Sequence, residues 1–187
     1  MTNPAIAVVA YNRPVSLQRL LDSIAAAQYS GTDIPLIISI DRSEDTKTQD
    51  VANNFKWEYG EKSIILAEEH LGLKNHVLKC GQLTHEHENI IVLEDDLMVS
   101  QDFYSYAQEA ISFYKDSSKV ASISLYNYQV TESSFQPFHP IEDGSDVYFM
   151  RFTSSWGQIW SQRNWARFKE WLMANQNGKP ELLPKYI

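Results

Sequence analysis

Short apolar runs alternate with amphipathic stretches along most of this chain. Ile6-Ala7-Val8-Val9-Ala10 lies between Pro4 and the Asn12-Arg13-Pro14 break. An unbroken apolar run of that length predicts a strand buried on both faces, from Ala5 to Ala10. Leu17, Leu20, Leu21 and Ile24 follow at helical spacing, and Pro14 suits the first turn of that helix. Leu36 to Ile40, ending at Asp41, predicts a second strand. The polar stretch Arg42 to Asp50 leads into a helix, and Ser63 to Leu66 predicts a third strand. A helix from about Leu73 to Leu83 precedes the strand Ile90-Ile91-Val92-Leu93. Phe103, Tyr106, Ala107, Ala110, Ile111 and Tyr114 then mark the clearest amphipathic helix, with Ser100 placed as its N-cap. Val120 to Leu125 reads as another strand. The order predicts an α/β fold, a Rossmann-like, mostly parallel sheet with helices on both faces.

From Tyr126 to Asp146 the periodicity fades and polar, Pro and aromatic residues mix, which predicts an extended loop close to a ligand. Val147 to Phe152 reads as a further strand. Trp160 to Met173 reads as a helix with Trp165, Phe168 and Leu172 on one side, and Gln176 to Ile187 shows no period. A chain of 187 residues suits one domain with a full core better than two small ones.

Charge and cysteine usage narrow the function classes. Lys and Arg number 16 against 24 Asp and Glu, a net charge of −8, so a broad nucleic-acid surface is not expected. A small phosphorylated ligand is compatible with an acidic chain, because helix N-termini, a few basic side chains and a metal ion neutralise phosphate locally. Cys80 is the only cysteine and can form neither an internal disulfide nor a multi-Cys metal site. The first apolar run is too short for a membrane span or a signal sequence. The expectation is a cytoplasmic protein with no transmembrane segment, peripheral membrane association being left open.

In open parallel α/β sheets ligands bind beyond the carboxyl ends of the strands. The residues to weigh are therefore Tyr11-Asn12-Arg13-Pro14, Asp41-Arg42, Glu68 to Lys74, and Glu94-Asp95-Asp96. Three successive carboxylates in a crevice repel one another unless a cation, a proton or hydrogen-bond donors compensate them. A hard divalent ion is the simplest compensation, and Mg²⁺ typically takes one or two protein carboxylates and leaves room for phosphate oxygens. Strand alternation would set Glu94 and Asp96 on one side and Asp95 on the other. A solvated acidic turn is the alternative. His70, His76, His85 and His87 invite a zinc reading, but His85 and His87 would not face together in a helix.

Ala10-Tyr11-Asn12-Arg13-Pro14 with its Leu-rich helix, Ser39-Ile40-Asp41, Val92-Leu93-Glu94-Asp95-Asp96-Leu97 with Asp102-Phe103, Ser122 to Asn127, and Trp156-Gly157 occur in this order. Together they resemble the GT-A glycosyltransferases, most closely the N-acetylglucosaminyltransferase I type, with the general look of bacterial family 2 enzymes. The resemblance implies a nucleotide-sugar-binding domain over residues 1–187, shortened on its C-terminal acceptor side. It also implies a metal-dependent, inverting transfer of sugar from a nucleoside diphosphate sugar, UDP-sugar by default, to a glycan or lipid-linked acceptor in polysaccharide biosynthesis. Asp96 would ligate Mn²⁺ or Mg²⁺. Ala10, Tyr11, Arg13, Asp41, Lys74, Glu94 and Asp95 would line the donor site, Asp41 and Arg13 reaching the nucleoside. Trp156, Gly157 and Asn127 would face the acceptor.

Residue-level alternatives stand beside these roles. Arg13 could be a turn residue, Asp41 a helix cap, Lys74 part of a plain turn and Trp165 core. Inversion needs a carboxylate base, and the family's pattern for it has no counterpart here. Glu170 is the candidate, with Glu181 a weaker one. A catalytically incomplete sugar-nucleotide-binding module is the main alternative function. Receiver-like phosphoacceptor domains place their acidic pair after the first strand, not the fourth.

Overall fold

The computed structural model describes residues 3–131, 134–151 and 154–175. Six strands form one sheet in the order β3-β2-β1-β4-β6-β5. They are β1 (Ala5–Ala10), β2 (Leu36–Ile40), β3 (Lys62–Leu66), β4 (Asn89–Glu94), β5 (Ile123–Ser124) and β6 (Gln158–Ser161). The helices are α1 (Pro14–Ala25), α2 (Lys47–Asn54), α3 (Gly72–Gly81), α4 (Phe103–Tyr114) and α5 (Gln162–Ala174), with a 3₁₀ turn over Gln82–His85. β3, β2, β1 and β4 run parallel, and β6 is antiparallel to both β4 and β5. The mostly parallel α/β expectation holds.

The strand pattern sorts side chains onto two cores. Ile6, Val8 and Ala10 of β1, with Ile38 and Leu93, pack under α1 and α4, whereas Ala5, Ala7 and Val9, with Ile37 and Val92, face Cys80, Leu83 and Trp165 on the other side. β1 is buried along its whole length, as its uninterrupted apolar composition requires. On α1, Leu17, Leu20, Leu21 and Ile24 are all fully buried, and each contributes roughly 1.5–3 kcal/mol of apolar burial. Pro14 occupies the start of α1, where no helical N–H partner is lost. Gly81 lets α3 approach α5, because a Cβ there would stand 2.0 Å from the Trp165 ring.

Several boundaries differ from the sequence expectation. The proposed Val120–Leu125 strand shrinks to Ile123–Ser124, and Val147–Met150 forms no strand; Phe152 lies outside the described residues. In its place Gln158–Ser161 forms β6, paired with Val92 through Asn89, and the last helix begins after it, at Gln162. Ser100 does not cap α4: Asp102 holds the N-cap position, and its side chain makes no capping hydrogen bond. Tyr126 to Asp146, where described, carries only an isolated bridge between Val130 and Pro137. Glu181 falls outside the described residues. Among the described residues no helix is long and apolar enough to cross a membrane.

Candidate functional site

Strand order reverses between β1 and β4: the chain steps outward from β1 to β2 and β3, then returns to the other side of β1. At such a switch point the connections leave in opposite directions and open a crevice beyond the strand tips. Arg13 and Glu94-Asp95-Asp96, singled out eighty residues apart, meet there. Asp95 is buried, its backbone N–H reaches Val9 carbonyl O at 3.0 Å, and its Oδ2 accepts the Tyr11 N–H at 2.9 Å. Arg13 Nη1 stands 2.9 Å from Asp96 Oδ2 and 3.7 Å from Asp95 Oδ1. Arg19, one and a half turns along α1, donates from Nη2 to the Asp96 carbonyl at 3.0 Å.

The strand does not continue through the triplet. Leu97 N–H bonds Glu94 carbonyl O at 3.1 Å, closing a turn, so Asp95 and Asp96 present to the same guanidinium and the expected alternation is lost. Burial raises the Glu94 pKa, with the charges of Asp96 and Asp95 adding to it against a Ser155 hydrogen bond and Arg13. Burial likewise raises that of Asp95, against the Tyr11 N–H and Arg13. The cluster is therefore under-compensated by protein donors, the condition a cation relieves.

The donor chemistry suits one kind of metal site. Asp96 keeps about half its side chain exposed and offers hard oxygen, whereas Asp95 is tied to Tyr11. Among the described residues no group of three or more His, Cys, Asp or Glu side chains is arranged to hold a metal ion. The residues fit a cation held by one carboxylate with water and ligand oxygens completing its shell, which is the habit of Mg²⁺.

Asp41 has a different surrounding from the one its strand-end position suggested. It is 2% exposed. Its Oδ1 accepts the N–H groups of Arg42 and Leu71, both at 2.8 Å, its Oδ2 accepts Gly72 N–H at 2.9 Å, and His70 Nδ1 lies 3.1 Å from Oδ2. Burial alone would raise its pKa, but those three N–H groups and His70 together bring it below the ordinary carboxylate range. Asp41 thus braces the start of α3 through the Leu71 and Gly72 N–H groups. Gly72 adopts φ +71 at this junction, a backbone region that favours glycine. Lys74 is exposed in the first turn of α3. His70 also packs against the Tyr11 ring, centroids 4.9 Å apart. His76, by contrast, is buried beneath the sheet with Nε2 2.7 Å from Ser39 Oγ.

The antiparallel strand carries the remaining candidates to the same end of the sheet. Because β6 begins opposite Val92, Ser155, Trp156 and Gly157 stand beside the β4 tip, and Ser155 hydrogen-bonds Glu94. Gly157 takes φ +69, and an added Cβ would meet Leu125 Cβ at 3.2 Å. The Trp156 ring stands edge-on to Tyr126 at 4.7 Å and near-parallel to Tyr128 at 6.3 Å. Asn127 Oδ1 accepts from the Tyr148 hydroxyl at 3.1 Å, and the Tyr148 hydroxyl oxygen in turn accepts the Tyr128 N–H at 3.3 Å. Ala10 is buried at the end of β1. Glu170 is exposed on α5, a helix that packs on β6 and on the 3₁₀ turn preceding β4. Trp165 is core. Arg19, Ser155 and Tyr148 had no sequence signal, being polar residues in a helix and in irregular segments; His70 stood out only as a histidine.

Residues 15–179 match the family model described as the SPBC1E8.03c C-terminal domain. No curated protein matches the chain. Among solved structures, the chain is similar to S. aureus TarS 1-349 in complex with UDP-GlcNAc, at 15% identity and TM-score 0.60 over 92% of this chain and 47% of that one. It is also similar to the same protein in complex with UDP, at 16% identity and TM-score 0.58 over 92% and 48%. The mannosyltransferase PcManGT from Pyrobaculum calidifontis, in complex with GDP-Man and Mn²⁺, matches at 15% identity and TM-score 0.56 over 68% and 36%. The chain spans about half the length of TarS 1-349. At these identities the likeness is one of fold: the sheet and its helices form a GT-A fold.

Proposed function

The chain belongs to the SPBC1E8.03c C-terminal domain family, and from that premise and the crevice between β1 and β4 we propose that it is a metal-dependent, inverting glycosyltransferase domain acting on a nucleoside diphosphate sugar. The observation that carries the reading is the convergence of Tyr11, Arg13 and Glu94-Asp95-Asp96 at the switch point. Neighbours of the same fold were solved with UDP-GlcNAc and with GDP-Man and Mn²⁺, which supports a nucleotide sugar as ligand. UDP-sugar is the donor proposed, as the resemblance to the N-acetylglucosaminyltransferase I type and to bacterial family 2 enzymes implies.

Asp96 would hold the divalent cation, Mn²⁺ or Mg²⁺, which when bound supplies Lewis-acid stabilisation of the charge growing on the leaving diphosphate. Ala10 and Tyr11 border the donor site with Glu94 and Asp95, and Lys74 at the start of α3 supplies positive charge toward a diphosphate. Asp41 shapes this side by fixing the 70–72 backbone. Trp156, partly exposed and next in sequence to Ser155, would stack on an acceptor sugar, with Gly157 and Asn127 bordering it. The acceptor is a glycan or lipid-linked hydroxyl, and the setting cytoplasmic polysaccharide synthesis.

Taking the acceptor proton requires a carboxylate within about 3 Å. Glu170, the sequence candidate, stands exposed on α5, and that placement favours a second reading, a sugar-nucleotide-binding module without transfer. Incubating the protein with Mn²⁺ and sugar-labelled UDP-GlcNAc separates the two: slow release of labelled sugar marks a transferase, intact donor a binder. Absence of any Mn²⁺-dependent thermal shift across UDP, GDP and their sugars would remove both readings.

A further inference from the structure

One guanidinium nitrogen serves both carboxylates at the crevice. Arg13 Nη1 contacts Asp96 Oδ2 at 2.9 Å and approaches Asp95 Oδ1 at 3.7 Å, while Glu94 behind them is half-buried and feels the charge of both. Arg13 is thus the nearest positive charge in a group of three carboxylates. It is also well placed to leave. Its side chain is 59% exposed, and it lies just ahead of α1, with φ −132 and ψ 67, following Asn12 at φ 48. The acidic main chain, in contrast, is anchored independently. Asp96 carbonyl O is held by Arg19, Asp95 N–H by Val9, and Asp95 Oδ2 by Tyr11. Arg13 can leave without the turn collapsing.

We propose that Arg13 is a resident counterion that stands in for the divalent cation until a diphosphate draws it away, so that metal and nucleotide load together. The proposal rests on the metal-dependent reading above. A cation binding Asp96 must share the carboxylate that Arg13 holds through Oδ2 and must enter beside a like charge, which opposes metal binding alone. A diphosphate reverses both effects. It offers the guanidinium a bidentate partner, and its oxygens supply metal ligands. By linkage, the factor by which nucleotide tightens metal equals the factor by which metal tightens nucleotide.

The test is calorimetric titration of Mn²⁺, alone and at saturating UDP, into wild type, Arg13→Gln and Arg13→Lys, with circular dichroism to check folding. Arg13→Gln is expected to bind Mn²⁺ alone on the order of tenfold tighter, since one unit charge a few ångströms away has gone, and the gain from UDP should shrink. Arg13→Lys, which keeps the charge, should bind Mn²⁺ alone as weakly as wild type. Should Arg13→Gln not fold, wild type carries the test: the Arg13 side-chain NMR signal must move when UDP joins Mg²⁺ and hold still with Mg²⁺ alone. Unchanged Mn²⁺ affinity in a folded Arg13→Gln, with UDP binding in wild type still Mn²⁺-dependent, overturns the counterion role and leaves the proposed function standing. A wild type that binds UDP equally with and without Mn²⁺ overturns both.

Discussion

Replacing Asp41 by alanine removes a carboxylate on which three backbone N–H groups converge. Two of them, from Leu71 and Gly72, open α3, so the loss combines a missing helix cap with a missing charged hydrogen bond. A lost cap costs about 0.5–2 kcal/mol, and a hydrogen bond to a charged group about 1.5–3 kcal/mol. Some of this returns, because Leu71 and Gly72 are only half-buried and water can reach them. The expected destabilisation is about 2–4 kcal/mol, which at a urea slope near 2 kcal/mol/M lowers the unfolding midpoint by about 1–2 M. Asp41→Asn keeps one acceptor oxygen and should lose about half as much. The pH dependence follows from the direction of the shift. The folded pKa lies below the unfolded value, so the charge stabilises the fold above about pH 4 and that stability disappears as pH falls through the folded pKa. The gap between wild type and Asp41→Asn should accordingly be full at pH 7 and close in acid. Urea unfolding monitored by circular dichroism at pH 7 and pH 3 measures both quantities. An Asp41→Ala protein that unfolds at the wild-type midpoint yet binds nucleotide weakly would refute the bracing role and return Asp41 to a purely ligand-facing one.

Asp96→Asn should abolish Mn²⁺-dependent nucleotide binding yet leave the metal-free melting temperature within about 4 °C of wild type, because an exposed pair with Arg13 is worth about 0–1 kcal/mol; a larger drop in metal-free stability would show a structural role. Glu94 and Asp95 have raised folded pKa values, so their share of stability is full below about pH 4 and is lost as pH rises through the folded values; metal-free Glu94→Gln should therefore melt no lower than wild type at pH 8 in scanning calorimetry. Gly157→Ala places a Cβ at φ +69 and 3.2 Å from Leu125; left-handed strain of about 1–2 kcal/mol plus the contact should lower the urea midpoint, and an unchanged midpoint would mean the 154–157 segment adjusts freely.

Legibility followed the physical source of each signal. β1 and the Ile90–Leu93 stretch of β4 could be read because strands buried on both faces carry continuous apolar runs, and α1 because Pro14 and four leucine or isoleucine positions mark one face. β6 was missed because Gln158, buried with its amide donating to Ser122 Oγ, breaks the apolar run, and because Trp160 continues visually into the aromatic face of α5. The triplet stands at the end of β4, as its place after an apolar run implies, but its turn geometry was not legible, since Asp95 meets Tyr11, eighty-four residues away. Asp41 was similar: two of the three N–H groups it accepts come from residues about thirty positions on, and no local pattern announces a side chain that caps a distant helix. Arg19 and Ser155 are ordinary polar residues until the fold brings them to Asp96 and Glu94.

The central claim is that a divalent cation and a nucleoside diphosphate bind together at the tips of β1 and β4. Isothermal calorimetry of UDP into the wild-type protein, with Mn²⁺ and then with excess chelator, tests it most directly, with Asp96→Asn as the paired sample. The account predicts saturable UDP binding with Mn²⁺, at least tenfold weaker or absent binding in chelator, and no Mn²⁺ effect in Asp96→Asn. Equal UDP affinity with Mn²⁺ and with chelator, or full Mn²⁺ dependence retained in Asp96→Asn, would contradict it.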